Sequence, residues 1–330
     1  MPREGANKYF IKARKSKQDE FYTILSDIEN ELKHYKTHFK NKTVYCNCDE
    51  PRKSNFFHYF SFNFEKLKLK ELISTCYKNQ NSDLFSKHKD EKAVFLEYKG
   101  DKNKNKIPDC EEIQINHLNG DGDFRSEESL ILLKKSDIIV TNPPFSLFRE
   151  YIHQLFEYDK KFLIIGTWNA ITFKEIFKFF MDNKLWIGKN SNRNFSGFIV
   201  PDHYELFGTE ARIDEIGNRI VSSNNNCWFT NLDLPKRHDP LILYKKYSPD
   251  EYPKYDSCNA IEVSKVNHIP KDYKGVMGVP ITFLNKYNPD QFEIIGMDDF
   301  NLKYPNWRGR GPDLNGKTIY RRIMIKNKKI

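Results

Sequence analysis

Long apolar runs are missing from this chain. No 18 consecutive apolar residues occur among its 330, which excludes a membrane-spanning helix of ordinary length. The opening residues also lack the apolar core of a secretion signal, so a cytoplasmic location is expected. Cysteine is sparse, with six residues: Cys46, Cys48, Cys76, Cys110, Cys227 and Cys258. Only Cys46 and Cys48 are close neighbours, and neither a Cys-x-x-Cys pair nor a histidine cluster accompanies them. Reduced thiols are therefore expected, with no disulfide framework and no metal site. No Gly-x-Gly-x-x-Gly stretch follows a strand pattern, which removes the dinucleotide fingerprint. Internal repeats are absent too. Acids are the minority, 45 against 54 lysines and arginines, and the net charge of +9 favours a polyanionic partner.

What is present centres on Lys134–Phe145. Ile138, Ile139 and Val140 form a β-branched apolar run, the pattern of a strand buried on both faces of a parallel sheet. The run stops at Asn142-Pro143-Pro144, where successive prolines cannot continue a ladder and stiffen the chain into an extended loop. A helix is predicted from near Ser146. Open α/β sheets bind ligands at the carboxyl edge of such strands. The loop suits a planar, amino-bearing group. An exocyclic amine such as that of adenine is a poor nucleophile because its lone pair is delocalised into the ring. The Asn142 side-chain oxygen and the Pro143 carbonyl can each accept one of its N–H bonds and hold the nitrogen in line with an incoming group. Phe145 offers a stacking face worth about 1–3 kcal/mol per base. The plain alternative is a Pro-Pro turn that only closes a strand, with Phe145 in the core.

In chain order, residues 1–18 form a basic arm carrying Arg3, Lys8, Lys12, Arg14, Lys15 and Lys17 against Glu4 alone. It reads equally as an arm lying along phosphates or as a solvated tail. Residues 19–184 carry the alternation of a core domain. A helix runs through Ile24, Ile28, Leu32 and Tyr35, then a strand over 43–46 leads into the Asn47–Asn55 loop. Ser54 or Asn55 caps the helix beginning at Phe56. A second strand is expected over about 72–77. Residues 78–110 are rich in Lys, Asn and Asp and read as a solvated surface hairpin with a strand at 93–98. A strand over 113–118 ends in Gly120-Asp121-Gly122-Asp123-Phe124-Arg125-Ser126. That glycine-acid stretch is not an EF-hand, because no closing Glu follows at loop spacing. The Asp123 carboxylate and Phe124 ring suit an adenine: one accepts from its amino group, the other covers a face. A buried strand over 161–166 and a helix over about 172–183 follow. Such alternation argues for an α/β fold with a doubly wound, mostly parallel sheet. Residues 185–330 hold the remaining core strands and a smaller, irregular, Lys- and Tyr-rich C-terminal region expected to recognise the target. Strands are predicted at 185–188, 196–201, 226–231, 275–284 and 293–297.

Six stretches together resemble the EcoRI-type adenine-specific DNA methyltransferases, almost from end to end. They are residues 15–23, 44–57, 120–126, 134–151, 204–214 and 275–284. The resemblance implies the S-adenosylmethionine-dependent methyltransferase fold and methyl transfer to N6 of adenine in double-stranded DNA. It also implies a restriction–modification setting, in which a cognate restriction endonuclease acts on the same site without a stable complex. On the family pattern Phe21, Tyr22 and Thr23 face the methionine part of S-adenosylmethionine. Asn47, Asp49 and Pro51 line the first loop, and Asp123 and Phe124 hold the cofactor's adenine. Asn142, Pro143, Pro144 and Phe145 hold the target base. Two departures from methyltransferases in general stand out: the first loop lacks their glycines, an oddity the EcoRI-type group shares, and the second strand ends Thr75-Cys76-Tyr77 with no acid for the ribose hydroxyls. RNA adenine and protein glutamine methyltransferases also use an Asn-Pro-Pro-aromatic loop. A silent DNA-binding protein on the same scaffold is the alternative from a different class.

Overall fold

A computed structural model describes residues 22–48, 53–75, 93–191, 195–200, 206, 211–221, 225–298 and 310–330. The chain forms two compact units, one running to Ala170 and resuming over Gly188–Leu232, the other built from Ile171–Ile187 and Asp233–Ile330. Among the described residues no helix is long and apolar enough to cross a membrane.

The first unit opens with β1 (Tyr22–Thr23), α1 (Leu25–Leu32), β2 (Thr43–Cys46), α2 (Asn55–Phe62), α3 (Phe64–Leu67) and β3 (Glu71–Thr75). It continues through β4 (Val94–Tyr98), β5 (Gln114–His117), α4 (Glu127–Lys135), β6 (Ile138–Thr141), α5 (Phe148–Glu157) and β7 (Lys161–Thr167). After α6 (Lys174–Met181), which belongs to the second unit, come β8 (Trp186–Ser191), β9 (Phe198–Val200), β10 (Arg212–Ile213), β11 (Arg219–Val221) and β12 (Asn226–Thr230). The predicted Ser54 cap is present: its hydroxyl accepts from the N–H groups of Phe56 and Phe57 at 3.2 and 3.5 Å. Ser126 caps α4 by accepting from Ser129 N–H at 3.2 Å. Glu127 and Glu128 in the first turn of α4 and Lys134 and Lys135 in its last complement the helix dipole.

The main sheet has eight strands in the order β5-β4-β3-β2-β6-β7-β12-β8. Its centre is parallel, with Val44 opposite Leu72 and Ile138, and Val140 opposite Leu163. Helices connect β2 to β3 and β6 to β7, as parallel neighbours require. Towards the flanks the sheet turns antiparallel: β4 against both β3 and β5, and β12 against β7. β4 and β5 are joined without a helix, so they pair as a hairpin. The sheet is thus mixed, with parallel pairing at its core. Trp228 packs edge-on against Phe56 of α2 at 6.1 Å, and the next residue, Phe229, packs against Phe148 of α5 at 5.0 Å. Successive strand residues point to opposite faces, so helices cover both. A smaller sheet, β1-β9-β11-β10, completes this unit.

In the second unit, β13 (Ala260–Glu262), β14 (Val276–Pro280), β15 (Phe292–Met297), β16 (Asp313–Leu314), β17 (Lys317–Thr318) and β18 (Arg322–Asn327) follow in sequence. Four of them form a sheet ordered β13-β14-β18-β15. The strand predicted over 275–284 ends at Pro280 and becomes a 3-10 helix, Ile281–Lys286. A buried polar knot pins this sheet. Tyr255 donates to Glu262, and the Arg322 guanidinium donates to the same carboxylate at 2.7 Å.

Candidate functional site

The carboxyl edge of the parallel strands carries several of the sequence-predicted residues. Asn47 leaves β2, Asn142 leaves β6 and Trp168 leaves β7 at this edge. The antiparallel β12 begins there, with Asn226 opposite Thr167. β5 runs parallel to β3, so its exit into the Asp121–Ser126 loop lies at the same edge.

Asn142 is 7% exposed and Pro143 is buried, while Pro144 and Phe145 are half-buried at the head of a 3-10 turn that leads into α5. The Leu147 N–H donates to the Pro144 carbonyl at 3.0 Å and closes that turn. The Phe145 ring meets Phe198 edge-on at 6.1 Å. Phe198 is the register partner of Thr23, so Tyr22 and Thr23 lie on the ladder that carries the aromatic neighbour of Phe145. Asn55 Nδ2 donates to the Thr23 carbonyl at 2.8 Å and ties β1 to the start of α2.

Tyr151 of α5 joins two more of the predicted residues. Its hydroxyl donates to Asn47 Oδ1, and its ring packs edge-on with Phe124 at 5.1 Å. Burial above all, with the nearby Cys48 and Tyr45, pushes the Tyr151 phenol well above its ordinary pKa, so it stays a donor. Gln154, one turn on, donates to the Phe124 carbonyl at 3.2 Å. The helix after Asn-Pro-Pro-Phe therefore holds both Asn47 and the Asp123-Phe124 loop. Asp123 itself is engaged by Arg125, whose Nε and Nη2 donate to its two oxygens at 2.8 and 2.6 Å. The hydrogen bond from Arg125 holds the Asp123 carboxyl below the usual carboxylate range. Phe21, Asp49, Pro51 and the arm cations Arg3, Lys8, Lys12, Arg14, Lys15 and Lys17 lie outside the described residues.

Residues 9–328 match the family described as adenine-specific methyltransferase EcoRI. The chain is 54% identical over 336 aligned positions to the Type II methyltransferase M.EcoRI of Escherichia coli, covering 100% of this chain and 99% of the relative. It is 36% identical to M.MgeORF184P of Mycoplasma genitalium, covering 98% of this chain and 99% of that protein. To M.MpnI of Mycoplasma pneumoniae it is also 36% identical, covering 97% of this chain and 98% of that protein. No solved structure matches the chain. This chain belongs to the EcoRI-type adenine-specific methyltransferases.

A methyltransferase needs a methyl donor, and polar atoms suited to a ligand occur at this edge. Asn226 is fully buried, yet neither atom of its carboxamide has a hydrogen-bond partner among the described residues. The same holds for the hydroxyls of Thr23 and Thr141, buried to 1% and 0% exposure. Buried polar groups are nearly always satisfied, so these donors and acceptors fit a polar ligand. Thr23 belongs to the predicted set, whereas Asn226 and Thr141 escaped sequence reasoning. The available signal was an Asn heading the otherwise apolar run Cys227-Trp228-Phe229.

Proposed function

We propose that this methyltransferase moves the methyl group of S-adenosylmethionine to N6 of an adenine within a defined sequence of double-stranded DNA, as the modification enzyme of a restriction–modification system. The observation that carries the reading is the buried Asn142-Pro143 step at the carboxyl end of β6, in the parallel centre of the sheet, with the half-buried Phe145 beside it. The S-adenosylmethionine-dependent methyltransferase fold and its doubly wound plan are supported by the helices on both faces. The antiparallel β12, with β4 at the other flank, limits the parallel part of that plan to the four central strands.

S-adenosylmethionine supplies an electrophilic methyl group when bound. The chain's own residues do the rest. Tyr22 and the Thr23 hydroxyl suit the methionine end, the Asn47 loop lies next to it, and Phe124 with Asp123 suits the adenine ring. Arg125 must share or release the Asp123 carboxylate for that last contact. Asn142 Oδ1 and the Pro143 carbonyl accept the two N–H bonds of the target amine and free its lone pair for attack. Inside a duplex that amine is paired and edge-on, so the base must leave the stack, at a cost of a few kcal/mol that stacking on Phe145 offsets in part. The proton displaced from N6 leaves along the hydrogen bond to Asn142 and passes to water.

The second unit suits the sequence-reading role, because it presents Tyr320, Ile242 and Tyr244 at 87%, 82% and 58% exposure amid its lysines. A cognate endonuclease would read the same site without a stable complex. Transfer of label from tritiated S-adenosylmethionine tests the reading, with duplex DNA, RNA and protein offered in parallel. Label is expected in DNA alone, at N6 of adenine, with a rate at least about 100-fold lower for Asn142→Ala. Transfer only to RNA or to protein would overturn it.

A further inference from the structure

The connection between β4 and β5 has a chemistry the methyl-transfer reading does not use. Its sequence is Asp101-Lys102-Asn103-Lys104-Asn105-Lys106-Ile107-Pro108-Asp109-Cys110-Glu111-Glu112. Counting Asp101 as the first position, oxygen-bearing side chains stand at the first, third, fifth, ninth and twelfth. That is the ligand spacing of a twelve-residue calcium loop, in which the seventh residue adds a backbone carbonyl and a closing Glu binds through both oxygens. The sixth position, where such loops hold glycine for a sharp turn, is Lys106, which takes a left-handed φ of +64°. The turn is therefore made without the glycine.

Inside the loop the backbone already serves the side chains as a bound loop would require. Asp101 accepts from the N–H groups of Asn105 and Lys106 at 3.1 and 2.8 Å. Asn105 Oδ1 accepts from Ile107 N–H at 2.8 Å, and Asp109 Oδ1 accepts from Glu111 and Glu112 N–H at 3.0 and 3.2 Å. Asp109 Oδ2 accepts from the amide nitrogens of Asn103 and Asn105 at 2.7 and 3.0 Å, so it already draws partial positive charge from both.

The decisive residue is Glu112. It is 4% exposed, and its Oε1 accepts from the loop N–H groups of Lys102 and Asn103 at 2.6 and 3.1 Å, which fixes the carboxylate against the loop. Its Oε2 is buried with no hydrogen-bond partner among the described residues. A carboxylate oxygen out of water without a donor is costly, and a cation is the partner that would satisfy it. No three His, Cys, Asp or Glu side chains gather as a metal-ligand group among the described residues. In this conformation of the loop the three carboxylates therefore stand apart, and binding would draw Asp101 and Asp109 in towards Glu112, with two amides and a carbonyl completing an all-oxygen set. Such all-oxygen sets suit Ca²⁺, which takes about 6–8 oxygens in flexible geometry, more than Mg²⁺, which demands an octahedron and keeps its waters.

We propose that Asp101–Glu112 is a calcium-binding loop, with Asp101, Asn103, Asn105, Asp109, Glu112 and the Ile107 carbonyl as ligands. The pairings Leu72–Tyr98 and Glu97–Gln114 put this connection at the amino edge of the parallel strands, away from Asn142. Its role is to brace the hairpin rather than to take part in chemistry, and it stands whether or not the methyl-transfer reading does. Lys102, Lys104 and Lys106 reduce the local negative charge, which places the affinity at the weak end of the range for such loops.

Full-length protein stripped with EDTA and returned to chelator-free buffer is titrated with CaCl2, and separately with MgCl2, by calorimetry. One Ca²⁺ per chain is expected, with Kd about 10⁻⁵ to 10⁻³ M and Mg²⁺ at least about tenfold weaker. The thermal midpoint is expected to rise by a few degrees at a large excess of Ca²⁺ over Kd. Glu112→Gln should weaken Ca²⁺ at least about tenfold by removing one ligand charge, and the more exposed Asp109→Asn gives a second reading should the first variant fold poorly. Asp109→Asn should leave the methylation rate unchanged. Absence of both heat and midpoint shift at about 10 mM Ca²⁺ would overturn the proposal, since that exceeds the Kd of the weakest such loops. An equal response to Mg²⁺, or Ca²⁺ binding unaltered in Asp109→Asn, would overturn it as well.

Discussion

The hydroxyl of Tyr151 donates to the side-chain oxygen of Asn47, joining residues 104 positions apart at the edge of the sheet. Both are buried, so removing the hydroxyl leaves the Asn47 oxygen out of water with only the weak Cys48 thiol donor at 3.6 Å. Tyr151→Phe should lower stability by about 1–3 kcal/mol in urea titrations. Because Asn47 belongs to the proposed cofactor side, the dissociation constant for S-adenosylmethionine should rise more than that for DNA. Equal changes in both would mean the bond only supports the fold.

Gly166 on β7 has no room for a side chain. A Cβ there would lie 2.5 Å from Phe148 Cε2 and 2.8 Å from Phe229 Cε2. Gly166→Ala therefore forces Phe148 to move, at about 1–3 kcal/mol by the usual cost of overpacking. Phe148 begins α5 three residues after Phe145, so single-turnover methylation should slow even where the variant is fully folded. A folded variant with the parental rate would show that α5 tolerates the displacement.

Asn226 separates structural from functional burial. If its carboxamide were only a structural liability, Asn226→Leu would stabilise the protein and change nothing else, since an unsatisfied buried polar group costs about 1–3 kcal/mol. The expected outcome is an unfolding midpoint equal to or above the parent with a loss of at least about tenfold in cofactor affinity or methylation rate, the size of one polar contact. Parental affinity and rate in a stabilised variant would remove Asn226 from the site.

Asp123 gives a pH signature. Arg125 lowers its pKa in the folded protein from the ordinary 3.8, so the pair's contribution is fully present above that value and is lost as pH falls through the lowered one. The stability difference between the parent and Asp123→Asn should stay level from neutral pH down to about the ordinary Asp pKa and shrink below it. A difference that already fades well above that pH would contradict a salt-bridged Asp123.

Deleting residues 2–17 removes six cations and one acid. If three or four of those cations meet phosphates, the slope of log K against log salt should fall by about 0.9 for each. An unchanged slope would leave the arm as a solvated tail.

The parallel core was legible because its strands centre on short apolar runs and its loops carry diagnostic residues, as at Ile138–Phe145. The Ser54 cap was legible for the same local reason, whereas the Ser126 cap of α4 was not predicted. The antiparallel flanks were not, since strand direction is set by what connects the strands rather than by their composition. β13 and β18 went unpredicted among Lys- and Tyr-rich neighbours, where three or four apolar residues do not rise above the background. Asp101–Glu112 reads by composition as a solvated hairpin. Its spacing gains meaning once Glu112, one acid among several, is seen to be buried. Likewise nothing local marks Asn226, whose neighbours across the edge come from β7, some sixty residues earlier in the chain.

That separation sets a timetable for synthesis. β7 is apolar from Phe162 to Ile165, and the neighbour on one of its sides is β12, which ends at Thr230. At roughly 5–20 residues per second, the edge stays unpaired for about 3–13 s while the intervening chain is made. An apolar strand with an open edge is a template for pairing with other chains. A transcript cut short before Asn226 leaves that edge open for good, so such truncation yields aggregate rather than a smaller enzyme.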